Sequence, residues 1–336
     1  MKFTIGTVIR GDEWDFEVET SPSSQAVLNS LKSFVRAVGS RQVIIFVDKQ
    51  EFCVKRPSYL RKCTCVNLKV CADPVYQVPT MDCILQLLFS MARTEIVSFI
   101  NGDILIFDSF APSVALAADL AADFFMTGRR HAGTAPVVLD DAFNWRNVEL
   151  HSETLPLEHG YAVDYFVCRK ATAKRVVNSF QTFVVGAWRW DNVFLSAIYK
   201  YTNATVMDAT FSAPVLHQLS HAKKNHASRR GAQYNDQLAK ITSGKDYYFG
   251  TVDFADFIFQ RGMTKDSTDF LKDPWHAMAR SSFRKDLITV DFLLEIAKHS
   301  ERKIAEYNER RVEISVNEHL VLLQNYRQDL PVQAAL

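Results

Sequence analysis

Asp103 stands at a turn, Asn101-Gly102-Asp103, between two strongly apolar runs in EIVSFINGDILIF, residues 95–107. A carboxylate at the end of a strand is a hard oxygen ligand. A divalent cation held there neutralises the two negative charges of a diphosphate so that it can leave. A plain β-hairpin fits the same residues, because Asn-Gly tolerates positive φ at both central positions, and on this segment alone the hairpin is favoured.

Three further groups carry chemistry. In Gly186-Ala-Trp-Arg-Trp-Asp-Asn192, Trp188 and Trp190 lead into Asp191 at an expected helix start. Aromatic rings stack on pyranose faces, and partial desolvation makes a carboxylate more basic, so the segment suits a sugar pocket with a general base. An N-capping aspartate beside core tryptophans fits as well. In Val215-Leu-His-Gln218, His217 offers a neutral imidazole to a metal, although a lone histidine is more often structural. Lys223, Lys224, His226, Arg229 and Arg230 form a cationic loop that can close over a diphosphate or simply face solvent.

The elements that must position these groups alternate between strand and helix. Phe3 to Ile9 reads as a strand ending at Arg10. Val27, Leu28, Leu31, Phe34, Val35 and Val38 recur at helical spacing, with Gly39 to stop the helix. Val43 to Val47 is a continuous apolar strand ending in Asp48. Val66, Leu68 and Val70 alternate as a third strand. Pro79 and Thr80 open a helix through Ala92, and Ile96 to Ile100 is the fourth strand. An alanine-rich helix follows from about Pro112 to Ala122, and Phe124 to Thr127 is a strand ending in Gly128-Arg129-Arg130. After a polar stretch, strand character resumes from Tyr161 to Cys168, and Ala204 to Met207 reads as the last core strand. His217 to Gly244 is polar, basic and weakly periodic, and Asp286 to Leu330 is helical and amphipathic. Such alternation predicts an α/β, Rossmann-like, mainly parallel sheet flanked by helices. Ligands bind these sheets at the carboxyl ends of their strands, where Arg10, Asp48 and the Asn101 to Asp103 turn all fall.

Composition narrows the class. The chain has 336 residues, 48% apolar and 23% charged, enough for one large α/β domain with a helical appendage or for two modest domains. Lys and Arg number 39 against 38 Asp and Glu, so no global field draws it to nucleic acid or an anionic membrane. MKFTIGTVIRGDEW lacks a signal-peptide pattern, and no apolar run is long enough to span a bilayer, so a soluble, cytoplasmic protein is expected. The six cysteines read as reduced, buried small residues. Cys63, Cys65 and Cys71 lack the second pair of a zinc finger.

Taken in order, INGDILIF, GRRH, VDYFVCRK, VGAWRWDN, VMDAT and VLHQLSHAKK…GAQYNDQLA resemble a group of GT-A-fold glycosyltransferases. In that group an acid-containing turn is followed by a Trp-Asp-Asn segment and a His-Gln-x-x-His segment. The resemblance covers residues 1–240. It implies a GT-A domain there; the C-terminal hundred residues match no known pattern, and their helical periodicity alone predicts a mostly helical extension over 241–336. The resemblance implies that Asp103 binds the metal-diphosphate, with Mn²⁺ or Mg²⁺ as cofactor, that Asp191 faces the acceptor, and that His217 is a further ligand. Two positions depart from the pattern: Asn101 replaces a first carboxylate, and Val193 stands where a second tryptophan often occurs.

The expected activity is inverting transfer from a nucleotide-diphosphate sugar, a uridine diphosphate sugar favoured, to a hydroxyl of a glycan, protein or modified base. Arg10, Asp48, Asn101, Asp103, Arg130 and Lys223 are the expected donor contacts, and Trp188, Trp190 and Asp164 the acceptor contacts. A sugar-phosphate nucleotidyltransferase is the rival enzyme, but IRGDEWDFEVET supplies no glycine-rich basic loop after the first strand. A catalytically inactive sugar-binding protein on the same fold is the rival from another class.

Overall fold

The computed structural model describes residues 1–10, 21–134, 136–137, 145–178, 180, 182–218, 231–243, 250–259 and 298. In chain order the strands are β1 Thr4–Ile9, β2 Val43–Val47, β3 Thr64–Asn67, β4 Ile96–Ile100, β5 Ile104–Ile106 and β6 Phe124–Thr127. They continue as β7 His131–Ala132, β8 Tyr165–Arg169, β9 Thr205–Asp208, β10 Val215–His217 and β11 Phe257–Ile258. The helices are α1 Pro22–Val38, α2 Gln50–Lys55, α3 Met81–Met91, α4 Phe110–Leu120, α5 Trp145–Ser152, α6 Lys170–Val177, α7 Trp190–Tyr201 and α8 Ala232–Ser243.

Eight strands form the central sheet in the order β11-β9-β6-β8-β4-β1-β2-β3. Every neighbouring pair is parallel except those made by β8, which runs against both β4 and β6. Side chains alternate across the pleat. Val8, Ile44, Phe46, Val97, Phe99, Phe125, Phe166 and Val206 face the layer holding α3, α6 and α7. Ile5, Ile9, Ile45, Val47, Ile100, Met126, Val167 and Met207 face α1 and α4. Apolar side chains on both faces explain why β2 and β4 are continuous apolar runs. The mainly parallel α/β sheet flanked by helices is therefore the architecture expected from the sequence.

β1 pairs with β2 on one side and β4 on the other, so the chain reverses its direction of winding between β1 and β4. A crevice opens at such a reversal, outside the carboxyl ends of the strands. Gly102 closes its floor: a Cβ there would lie 2.7 Å from the Val8 carbonyl oxygen.

A second sheet of three strands, β5-β10-β7, stands over this edge. β5 pairs antiparallel with β10 and not with β4, so the hairpin alternative for the Asn101 turn is excluded. Inside the same region Gln218 is fully buried and anchors to α1. It donates to the Ala26 carbonyl at 3.0 Å and accepts from Asn29 at 2.9 Å.

Several expected elements are corrected. The third strand stops at Asn67, because the Asn67 side chain accepts the Lys69 amide at 2.8 Å and starts a 3₁₀ turn that leaves Val70 exposed. β9 is not the last core strand: β11 adds beside it, so the sheet unit continues past residue 240. The polar 217–244 segment contains both the end of β10 and α8. Of the expected helical stretch over 286–330, only Lys298 is among the described residues, in helical conformation.

The cysteine expectation also changes. Cys53–Cys65 and Cys71–Cys83 are disulfides, with Cα separations of 5.7 and 5.6 Å, and only Cys63 and Cys168 are free. Each pair joins a strand or its exit to a helix alongside, a proximity that alternation within one strand does not reveal. With four of six cysteines paired, cysteine usage no longer favours a reducing compartment, and no zinc trio remains. No helix among the described residues is long and apolar enough to cross a membrane.

The charged centre of the core is Arg129, 1% exposed, whose Nη2 donates to Asp253 Oδ1 at 2.5 Å. Among the described residues its Nε and Nη1 have no hydrogen-bond partner, so Asp253 is its principal counter-charge. We expect Asp253→Asn, which keeps the shape and loses the charge, to destabilise the fold by about 1–3 kcal/mol. A lowered urea midpoint with an unchanged denaturant slope checks this.

Candidate active site

The parallel strands deliver their following residues to one edge: Arg10 after β1, Asp48 after β2, Asn101 to Asp103 after β4, and Arg129 and Arg130 after β6. Because β8 runs the opposite way, the residue before it, Asp164, reaches the same edge. The register of β10 on β5 sets His217 opposite Ile104, beside Asp103, where His217 Nε2 lies 3.1 Å from Asp103 Oδ2.

Asn101 is tied to the residue before β8. Its Nδ2 donates to Asp164 Oδ1 at 2.6 Å, and its amide donates to the Asp164 carbonyl at 2.9 Å. Asp164, 7% exposed, also pairs with Arg130, and Arg130 Nε donates to Glu158 at 2.8 Å. Burial opposes the Arg130 charge, but Asp164 and Glu158 outweigh it and hold its pKa above the ordinary value. Arg130 is thus engaged by two carboxylates.

Asp191 lies in the first turn of α7, one residue after Trp190. Its Oδ1 accepts the Asn192 amide at 2.9 Å, which is part of a capping role, although the N-cap position itself is Arg189. Burial, reinforced by the charge of Asp164, pushes its pKa up to about 7, against the Asn192 amide and Arg130, which lower it. A carboxyl with that pKa exchanges protons near neutrality. Asp164, whose charge acts on Asp191, is itself bonded to Asn101, two residues from Asp103.

The two tryptophans differ. Trp188 is 42% exposed, with the Arg189 guanidinium 5.3 Å from its ring centroid. Trp190 is 6% exposed and packs edge-on against Phe99 and Phe166, each 5.5 Å away, so it supports the turn from within the core. Arg10 reaches under the Gly186 loop: a Cβ on Gly186, at φ 76, would fall 1.8 Å from Arg10 Nη1. Asp48 sits exposed at the end of β2, and the Ile9–Val47 register brings it out beside Arg10. Lys223 and its basic neighbours lie outside the described residues.

Asp103 and His217 fit a divalent cation. Two ligand atoms on adjacent positions of one octahedral ion stand about 3 Å apart, which the 3.1 Å Nε2 to Oδ2 separation matches. No group of three His, Cys, Asp or Glu suited to a metal occurs among the described residues, so the remaining ligands would be phosphate oxygens and water, as is usual for Mg²⁺. His217 Nδ1 is buried without a partner among the described residues, so its tautomer is fixed by Asp103 alone. In the absence of an ion, Nε2–H donates to Asp103, and Nδ1 is left as a buried acceptor with no partner among the described residues.

Sequence reasoning gave no role to Glu158, Asn235 and Asp236. The helical spacing of Ala232, Leu238 and Ala239 was the available signal for α8, which carries the last two.

No protein-family model and no curated protein matches the sequence. Among solved structures the chain is similar to S. aureus TarS 1–349, at TM-score 0.41 and 13% identity over 99% of this chain and 93% of that one. A structure of TarS 1–349 in complex with UDP-GlcNAc gives TM-score 0.44 at 13% identity, over 98% and 92%. Mannose-1-phosphate geranyltransferase from Thermus thermophilus gives 0.31 at 13%, over 53% and 62%. Likenesses this distant transfer no activity.

Proposed function

We propose that the chain is a glycosyltransferase of the GT-A type that moves a sugar from a nucleotide-diphosphate donor, a uridine diphosphate sugar favoured, to an acceptor hydroxyl. The observation that carries this reading is the pairing, along one sheet edge, of a carboxyl poised near neutrality, Asp191, with a cation-competent carboxylate, Asp103, at the winding reversal. The crevice between β1 and β4 would take the diphosphate, with Arg10 and Asp48 toward the nucleoside and Trp188 toward the acceptor.

Asp191 takes the acceptor hydroxyl proton as that oxygen attacks the anomeric carbon. The new C–O bond forms on the face opposite the departing diphosphate, which leaves with the bonding electron pair, so configuration inverts. Asp164 maintains the basicity of Asp191 by its charge, and Asn101 and Arg130 hold Asp164 in place. Asp103, with His217 beside it, would hold a Mg²⁺ or Mn²⁺ ion, which would supply charge neutralisation for the leaving diphosphate. With an asparagine at 101, tied to Asp164 through Nδ2, Asp103 is the one carboxylate of the turn.

Incubation with a panel of nucleotide sugars, with and without chelator, tests the reading. Donor consumption with one nucleotide class, lost on chelation, supports it. Tight nucleotide-sugar binding with no turnover over any acceptor or water would instead favour a sugar-binding protein. A chelated protein that retains its nucleotide affinity would return His217 to a structural role, and His217→Ala would then leave metal affinity unchanged.

A further inference from the structure

The turn bearing Asp191 is held from outside by α8. Asn235, fully buried, donates through Nδ2 to the carbonyls of Val184 at 2.9 Å and Trp188 at 3.1 Å, and its Oδ1 accepts the Val184 amide at 2.9 Å. The next residue, Asp236, accepts Arg189 Nε at 3.0 Å through Oδ1 and pairs with Lys240 at 3.3 Å through Oδ2. Arg189 has φ 82, one of two non-glycine residues with positive φ among those described, and immediately precedes α7. Such a conformation persists only where the surroundings over-determine it, and it clusters at functional sites. The packing agrees: a Cβ on Gly231, just before α8, would fall 2.3 Å from Val184 Cγ2. On the other side of the loop Gly186 lies against Arg10. Residues 184–189 are thus fixed between the crevice and α8, and the position of Asp191 follows from theirs.

We propose that Asn235 and Asp236 are positioning residues for transfer: they hold Trp188 and Arg189 in the conformation that aims Asp191 at the acceptor and presents the Trp188 ring to it. The inference rests on the assignment of Asp191 as the base. A base displaced by about 1 Å loses on the order of a hundredfold in rate, whereas the donor, bound at the β1–β4 crevice, is untouched.

Asn235→Ala is therefore expected to lower kcat by about 10- to 100-fold and raise the acceptor KM, with donor affinity held within about twofold. Asp236→Asn should act in the same direction more weakly, and Asp236→Glu should recover part of the loss. The acid limb of the rate profile should move to lower pH in Asn235→Ala as Asp191 gains water. Amide exchange of residues 184–191 supplies a readout free of activity: faster exchange in Asn235→Ala, with the exchange of β1 and β4 unchanged, supports the clamp. Unchanged exchange there overturns it even if transfer is lost, and faster exchange with unaltered kcat, KM and pH profile overturns the positioning role. A wild-type chain that turns over no donor would remove the Asp191 assignment itself, and an exchange change would then mark the contacts as structural only.

Discussion

Asp191→Asn is expected to suppress transfer by about two to four orders of magnitude while donor affinity stays near wild type, because a general base acts mainly in the transition state. The wild-type rate should rise with pH through about 7, where Asp191 loses its proton, and the variant should lack that limb. The same substitution should alter stability in the opposite sense. Asp191 holds its proton up to about pH 7 in the folded chain but only to its ordinary 3.8 when unfolded. The folded state binds the extra proton between those values. Stability contributed by the neutral carboxyl is therefore complete below 3.8 and is lost as pH rises through 7. Above pH 7 the protein carries a charge it holds poorly, and the neutral amide removes that burden. Partial solvent access limits the gain to about 1–3 kcal/mol, a rise in Tm at pH 8 that shrinks toward pH 4. An inactive variant that is also less stable at pH 8 would mean that Asp191 is a cap rather than a base.

Asp103→Ala should abolish metal-dependent nucleotide binding and reduce transfer to background, with the fold intact. The turn carboxylate meets His217 through a hydrogen bond and takes no part in the sheet's apolar packing. Its loss removes the one carboxylate of the turn able to hold a cation against the diphosphate, and charge neutralisation of a leaving group is worth several kcal/mol. Titration of nucleotide at fixed Mn²⁺, with and without chelator, checks this. An Asp103→Ala protein whose nucleotide affinity keeps its metal dependence would place the ion elsewhere.

Which features the sequence made legible follows from how local their causes are. β2 and β4 stood out because strands buried on both faces are unbroken apolar runs, and α1 because Gly39, at φ 80, ends it. Strand direction leaves no mark on composition, so the reversal of β8, which brings Asp164 to the functional edge, was hidden. β11 has two residues, too short for any period to register. Alternation at Val66, Leu68 and Val70 misled because a local Asn67 contact overrode it. The disulfides depend on tertiary proximity between elements.

The site divides in the same way. Asp103, Asp191 and His217 were visible as chemistry-bearing residues at element ends, and the fold brings Asp103 and His217 together. Asn101 was read for what its type lacks as a ligand, whereas its contact with Asp164, 63 residues away, sets its role. Asn235 and Asp236 were invisible as partners because a polar helix facing a loop resembles a solvated surface until the loop is present.

A structure of the protein with an intact nucleotide sugar and Mn²⁺ tests the central claim most directly. The diphosphate is predicted to lie at the Asp103 turn between β1 and β4, with the anomeric carbon facing the Asp191 carboxylate across a gap that admits one hydroxyl. A donor bound away from that crevice, or an Asp191 carboxylate sealed from the anomeric carbon with no path for an acceptor, would contradict it.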